Sequence, residues 1–401
     1  MLWRSGRPTS ANMKALVRGI SGSMFTPRAA GLLTGALVLL LGLHRASPHW
    51  MEGRYFLPGT DAEAYIRIAR GLVSRGSLVL PPPSEIDERG RDQAGSVHTT
   101  PYAVTRDGRL FPKHPWAFGA LLVPGVALGG ATGAVLTGLL LGSVLAGLCT
   151  WLAAGTAGPL SSTAATLLLL VALPAGREAC WGISLDVAMA LSMLLAISWA
   201  EKGRCLRAGF LSGLSLFLRP TMPLLILPVP LLAARKGQGR GLTRLFAGFL
   251  PPALVWAWTN TAWWGAPWRS SYNRIAVFGP EGMKIESIVS AFRSNVLGGV
   301  YDAFLGSSEA LLFAAPLVFV AALGFLDRSA RRADWAGAYL ASALAYTVLA
   351  TYPSRSLRFA VPLLAASAPP LAVVLATLGR FRRAAPTTRP IPPAPREPQS
   401  S

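Results

Sequence analysis

Asp61, Glu63 and Tyr65 stand in the run Gly59-Thr60-Asp61-Ala62-Glu63-Ala64-Tyr65, which leads into apolar residues at Ile66, Ile68, Ala69 and Leu72. That spacing predicts an amphipathic helix lying on an apolar surface, with carboxylates in its first turn. Asp61 then has two roles open to it. With Thr60 it can cap the helix and complement its dipole, or it can act as a general base at a lipid–water boundary. Further on, Pro112-Lys113-His114-Pro115 places a cation and an imidazole between two prolines, which predicts a stiff, non-helical backbone. Lys113 there can neutralise a phosphate or simply snorkel at a membrane edge. Arg219, Arg355 and Arg358 border apolar stretches, and Asp186 begins one. Ionisable groups at membrane depth are costly, which makes each a functional candidate. Arginines at helix ends also snorkel, and Asp186 with Ser184 reads as a helix cap.

Other chemistries lack their residues. The chain has no Cys-x-x-Cys, no His-x-x-x-His and no phosphate-binding Gly-x-x-x-x-Gly-Lys loop, and its four histidines show no ligand spacing. No partner set for a Ser or Cys nucleophile stands out. Cys149, Cys180 and Cys205 fall in different parts of the predicted topology, so no disulfide framework is expected. Trp116, Trp181, Trp258, Trp263, Trp264 and Trp268 fall near predicted interfaces and read as an aromatic belt.

The elements that must position these residues follow from composition. Of 401 residues, 52% are hydrophobic and only 14% are charged. Soluble domains carry about 25% charged residues, so this is the composition of a polytopic membrane protein. Apolar stretches predict an all-α chain with about ten transmembrane helices. They fall near 29–46, 131–154, 160–176, 185–200, 207–218, 221–234, 245–263, 307–326, 335–351 and 358–379. Segments 1–28, 201–207, 235–244, 327–334 and 380–401 hold 20 of the 38 Lys and Arg but only four acids. With ten spans all five lie on one side, as the positive-inside rule requires of a cytoplasmic face. The net charge of +20 is therefore a topology signal, and no nucleic-acid partner is expected.

The uncharged stretch from 115 to 176 would accommodate three spans. Only two keep the basic loops on one face, so Pro115–Gly130 is expected to lie against or dip into the outer face. Residues 1–28 form a basic cytoplasmic N-terminus, 29–379 the membrane domain, and 380–401 a disordered, basic, Pro-rich cytoplasmic tail. The long external loops are 47–115 and 264–306. No internal repeat is visible, which weakens an inverted-repeat transporter reading.

The order of these features resembles the GT-C superfamily of polytopic glycosyltransferases. The likeness is strongest to the bacterial branch related to protein O-mannosyltransferases and the aminoarabinose transferase of lipid A. Asp61-Ala62-Glu63-Ala64-Tyr65 resembles the acidic residue and Tyr-containing helix of that group's first external loop. Pro112-Lys113-His114-Pro115-Trp116 resembles the Lys-Pro-Pro or Tyr-Pro-Pro-Gly element ending the loop, without its second Pro and Gly. Leu185-Asp186, Arg219-Pro220-Thr221, Gly265-Ala266-Pro267 before Tyr272, Leu305-Gly306 through Ala315-Pro316, and Arg358-Phe359 continue the order.

This resemblance implies an inverting transfer from a polyprenyl-phosphate sugar to an envelope acceptor, on the outer face of a bacterial cytoplasmic membrane. Asp61 would be the base, with Glu63 assisting. Lys113, Arg219 and Arg358 would face the phosphate, and Tyr65, His114 and Tyr272 would complete the substrate site. A divalent metal is an option that the resemblance leaves open. The alternatives are a transporter or flippase for a lipid-linked glycan, and a non-catalytic subunit whose loop docks a partner.

Overall fold

The computed structural model describes residues 26–52, 61–80, 102–219, 221–237, 239–279, 282–287, 298, 301, 304–305, 311–327, 333–350 and 357–384. The basic N-terminus up to 25, the tail from 385 and much of both external loops lie outside them. Most described residues are helical. The first helix, α1 (Pro27–Glu52), is followed by the expected amphipathic helix, α2 (Asp61–Arg75), which buries Tyr65, Ile66, Ile68 and Ala69.

The 42-residue α3 (Trp116–Ala157) is two arms joined at Gly129-Gly130, whose dihedral angles are non-helical. Gly130 has φ +58, a left-handed conformation open to glycine at little cost. The arms fold back on each other so closely that a Cβ on Gly133 would lie 1.8 Å from the Gly125 carbonyl oxygen. The stretch expected to dip into the outer face is therefore the first arm of a helical hairpin. α2 packs on that arm, with Ile68 against Gly119 and the Tyr65 ring edge-on to Phe118 at 4.8 Å.

Next, α4 (Pro159–Leu167) loosens into a π turn at Leu168–Ala172, and α5 (Pro174–Cys180) restarts at 86° to it. Pro174 has no amide hydrogen to carry the helix through. Then come α6 (Leu185–Glu201), α7 (Cys205–Ser215), the single turn α8 (Met222–Leu225), α9 (Pro228–Gly237) and α10 (Arg240–Trp264). After residues 265–305 follow α11 (Leu311–Ala314), α12 (Leu317–Leu323), α13 (Ala333–Ala350) and α14 (Val361–Ala384). The three cysteines are buried and unpaired.

The expectation of ten spans is met in part. Among the described residues, three helices are long and apolar enough to cross a membrane: Pro27–Ala46, α3 and Val361–Arg380. The bent pair α4–α5 would be a fourth if counted as one span. The other expected segments are helical but short or interrupted. α6 has 17 residues and α7 has 11, while α10 carries Pro251 and Pro252. Prolines and polar ends divide these stretches below the 20 or so apolar residues that a straight span needs.

The all-α expectation is met in part: the described residues are mostly helical, but the two segments expected to be external loops add a small four-stranded antiparallel sheet in the order β2-β1-β3-β4, from β1 (Tyr102–Val104), β2 (Leu110–Pro112), β3 (Ile275–Gly279) and β4 (Gly282–Glu286). Ala103 pairs with Phe111 on one side and Ile275 on the other, so the sheet ties the segment before α3 to the one after α10. The Thr105 hydroxyl closes the β1–β2 turn, donating to Asp107 and accepting from the Arg109 amide. Strands this short carry almost no alternation signal in sequence.

At one end of the bundle, after α6, Lys202 lies 4.5 Å over the Trp151 ring. Burial, and then the like charges of Arg204 and Arg28, lower its pKa. Asp186 begins the same helix, about 25 Å away by helical rise. α2 lies toward that second end, its Tyr65 close enough to Asp186 and Arg219 to feel their charges.

Candidate functional site

Asp61 is the first residue of α2, and burial of Tyr65 and Ile68 fixes which way its turn faces. β2 ends at Pro112, and Lys113-His114-Pro115 then crosses to α3 with no room for a helix. Ser271 Oγ donates to the Lys113 carbonyl at 2.6 Å, and the single 3-10 turn Ser271–Asn273 is closed by a capping box from Ser270 and Asn273. Tyr272 sits in that turn, so the segment after α10 fixes the end of the segment before α3. His114 Nε2 lies 3.7 Å from Asp61 Oδ1, and its ring meets Tyr65 edge-on at 5.5 Å.

Asp186 and Arg219 form a buried ion pair at 2.8 Å. The guanidinium also stacks 4.9 Å over Phe359. Ser184 occupies the N-cap position of α6 without making a side-chain cap bond. The capping reading of Asp186 with Ser184 is thus corrected: a buried arginine from the α7–α8 connection takes the carboxylate instead. Burial acts against the Arg219 charge, but Asp186, with smaller contributions from Tyr272, Tyr65 and Asp61, raises its pKa overall.

The other ionisable groups respond to the same surroundings. Burial pushes the Lys113 ammonium down to about 8, opposed by the Asp61 charge. Burial also lifts the Tyr65 phenol well above its usual value, with Tyr272, Asp61 and Asp186 adding to the rise and Arg219 opposing it. The Tyr65 hydroxyl is buried and meets no hydrogen-bond partner among the described residues.

Of these groups His114, Arg219 and Tyr272 line a cleft that is partly open to solvent. Its polar lining includes His114, Arg219, Asn260 and Tyr272. Its walls are aromatic: Trp116 meets Phe217 at 5.6 Å and Trp263 at 6.4 Å, and Trp256 and Trp264 also contribute. The belt expectation therefore splits. Trp258 and Trp268 are 70% and 79% exposed, as belt residues would be, while Trp116, Trp263 and Trp264 line the cleft. Such surfaces take flat or ring-shaped groups.

Three of the expected site residues, His114, Arg219 and Tyr272, line the cleft, and three more, Asp61, Tyr65 and Lys113, lie behind them against His114, Arg219 and Asp61. Glu63 goes elsewhere. Its carboxylate accepts from Arg67 Nε at 3.0 Å, one turn along α2. The Asp61–Glu63 pair expected to assist or to ligate a metal thus has its two carboxylates on different partners. Among the described residues no three His, Cys, Asp or Glu side chains converge as a metal site. Arg358 lies in the 3-10 turn Leu357–Ala360, and its side chain is outside the described residues, as is Arg355.

Sequence reasoning missed Asp186 as the partner of Arg219, Phe359 as its stacking face, and Asn260. For Asp186 a signal existed, since a lone acid inside an apolar helix demands a cation. Comparison with protein-family models, curated proteins and solved structures returns no match for this chain.

Proposed function

We propose that this chain is a membrane glycosyltransferase that moves a sugar from a polyprenyl-phosphate donor to a hydroxyl acceptor of the envelope, with inversion, and that base catalysis depends on Asp61. One observation carries the proposal. Residues from Asp61 to Tyr272, including Lys113, His114 and Arg219, meet at one end of a helical bundle, beside a cleft walled by tryptophans. A transfer of this kind needs a proton acceptor near the attacking hydroxyl and fixed positive charge where the leaving phosphate gains charge. Asp61 with His114 supplies the first, and Lys113 with Arg219 the second. The apolar helices beside the cleft give a polyprenyl tail a place in the bilayer, and the sugar stacks on the aromatic walls.

The same reading keeps ten spans, with both termini on the cytoplasmic face of the inner membrane and the cleft on the outer face. Its support is the separation of Arg28, Lys202 and Arg204 from the Asp61 cluster along the bundle. The partners are then the bilayer, a lipid-linked sugar and an envelope acceptor.

The test compares cells producing wild-type protein, Asp61→Asn protein and none, by mass spectrometry of envelope glycans and polyprenyl-phosphate sugars. Loss of one glycan modification and accumulation of one lipid-linked sugar in both mutant strains is expected. An unchanged profile in the Asp61→Asn strain at normal protein level would remove Asp61 from the chemistry. Accumulation on the inner leaflet alone would favour a flippase.

A further inference from the structure

Within this transferase reading, on which the inference rests, the geometry points to His114 as the group that takes the acceptor proton, with Asp61 as the residue that positions and charges it. His114 lines the cleft, whereas Asp61 is not among the lining residues. The side chains face each other, with Nε2 of His114 3.7 Å from Oδ1 of Asp61. A carboxylate at Nε2 favours the tautomer with its proton there and leaves the Nδ1 lone pair to accept another. The ring is held in place by Tyr65, edge-on at 5.5 Å, and by a backbone pinned between Pro112 and Pro115. Ser271, bonded to the Lys113 carbonyl, pins the same stretch from the other external segment.

The step balances without another reactant. The acceptor hydroxyl gives its proton to Nδ1 as its oxygen bonds to the anomeric carbon. The bond from that carbon to the donor phosphate oxygen breaks, and its electron pair leaves on the polyprenyl phosphate. The imidazolium formed is stabilised by the Asp61 carboxylate, while Arg219, which lines the cleft, faces the growing phosphate charge with Lys113 buried behind it. The charged and titratable groups around His114 are Asp61 and Tyr65 from α2, Lys113 beside it, Arg219 with its partner Asp186, and Tyr272.

The full-length chain in detergent, given farnesyl-phosphate hexoses and pentoses with water or an alkyl glycoside as acceptor, provides the test. Release of the sugar is followed from pH 4 to 8, with thermal unfolding of each variant as a control for folding. An imidazole base gives an acid limb near its ordinary value of about 6.5, whereas a carboxylate acting alone gives one near about 3.9. The relay predicts the imidazole limb in wild type, a loss of about 100-fold or more in His114→Ala, and partial recovery with added imidazole. Asp61→Asn lowers kcat at unchanged KM and moves that limb to lower pH, because the imidazolium loses the carboxylate that stabilises it. A wild-type limb near 4, full activity in His114→Gln, or rescue of Asp61→Ala by formate with no rescue of His114→Ala by imidazole would overturn the relay while leaving the transferase intact. Failure of wild type to release sugar from any donor would overturn both.

Discussion

The two ends of the helical bundle hold their charge in opposite ways. At one end Lys202 is mostly exposed, lies against Trp151 and is repelled by Arg204 and Arg28. At the other, Arg219 and Asp186 are buried against each other, Lys113 is 3% exposed, and His114 faces Asp61. Charge left in water orients a chain in a membrane and adds little to its stability. Charge taken out of water must be paired, shifted in pKa or used. The second end shows the first two, which is why the proposed site is read there.

Substitutions that erase this contrast should have unequal effects. The largest is expected from Asp61→Asn, about 10²- to 10⁴-fold in sugar transfer with an unfolding midpoint close to wild type. A large fall in the midpoint would make Asp61 a structural residue and bring the two ends closer in kind. Next, Arg219→Met or Asp186→Leu alone strands a buried charge and should cost about 3–5 kcal/mol in unfolding free energy. The double variant should recover most of that stability and none of the activity. Recovery of activity would reduce the pair to a packing device.

Lys113 gives a pH test. Its folded value of about 8 lies below the ordinary 10.5, so the unfolded chain holds the proton to higher pH. Stability should therefore rise between about pH 8 and pH 10.5 and be flat there in Lys113→Met, as read by thermal unfolding. A phosphate bound beside Lys113 would raise its pKa and extend the ligand's affinity to more alkaline pH. The smallest effect is expected at the basic end, where Lys202→Gln with Arg204→Gln should change stability by about 0.5 kcal/mol or less. Cysteine labelling of that loop from either side of the membrane would show whether those charges set orientation.

Much of the site could be read in one dimension because rare residues carry it. In a chain with 14% charged residues, Asp61, Lys113, Arg219 and Asp186 stand out beside apolar segments. The amphipathic pattern after Asp61 fixed α2, and the paired prolines fixed the stiff stretch at His114. Other features left no trace of that kind. The strands span only three to five residues each, too short for alternation to register, and their pairing joins Ala103 to Ile275. The hairpin in α3 depends on a two-residue break in an otherwise continuous apolar helix. Glu63 and Asp61 look equivalent in sequence, yet one faces Arg67 and the other His114.

By itself, then, the sequence determined the helical, apolar character of the chain, the excess of positive charge on one set of loops, and a short roster of ionisable groups that needed partners. Periodicity and composition act locally, so they are visible without a fold. Only the tertiary structure decided which partner each group took. It set Asp186 on Arg219, turned three tryptophans from an expected belt into a cleft wall, and brought His114 between Asp61 and Tyr65. Those choices depend on distances between residues far apart in the chain, where burial makes an unpaired charge too costly to leave.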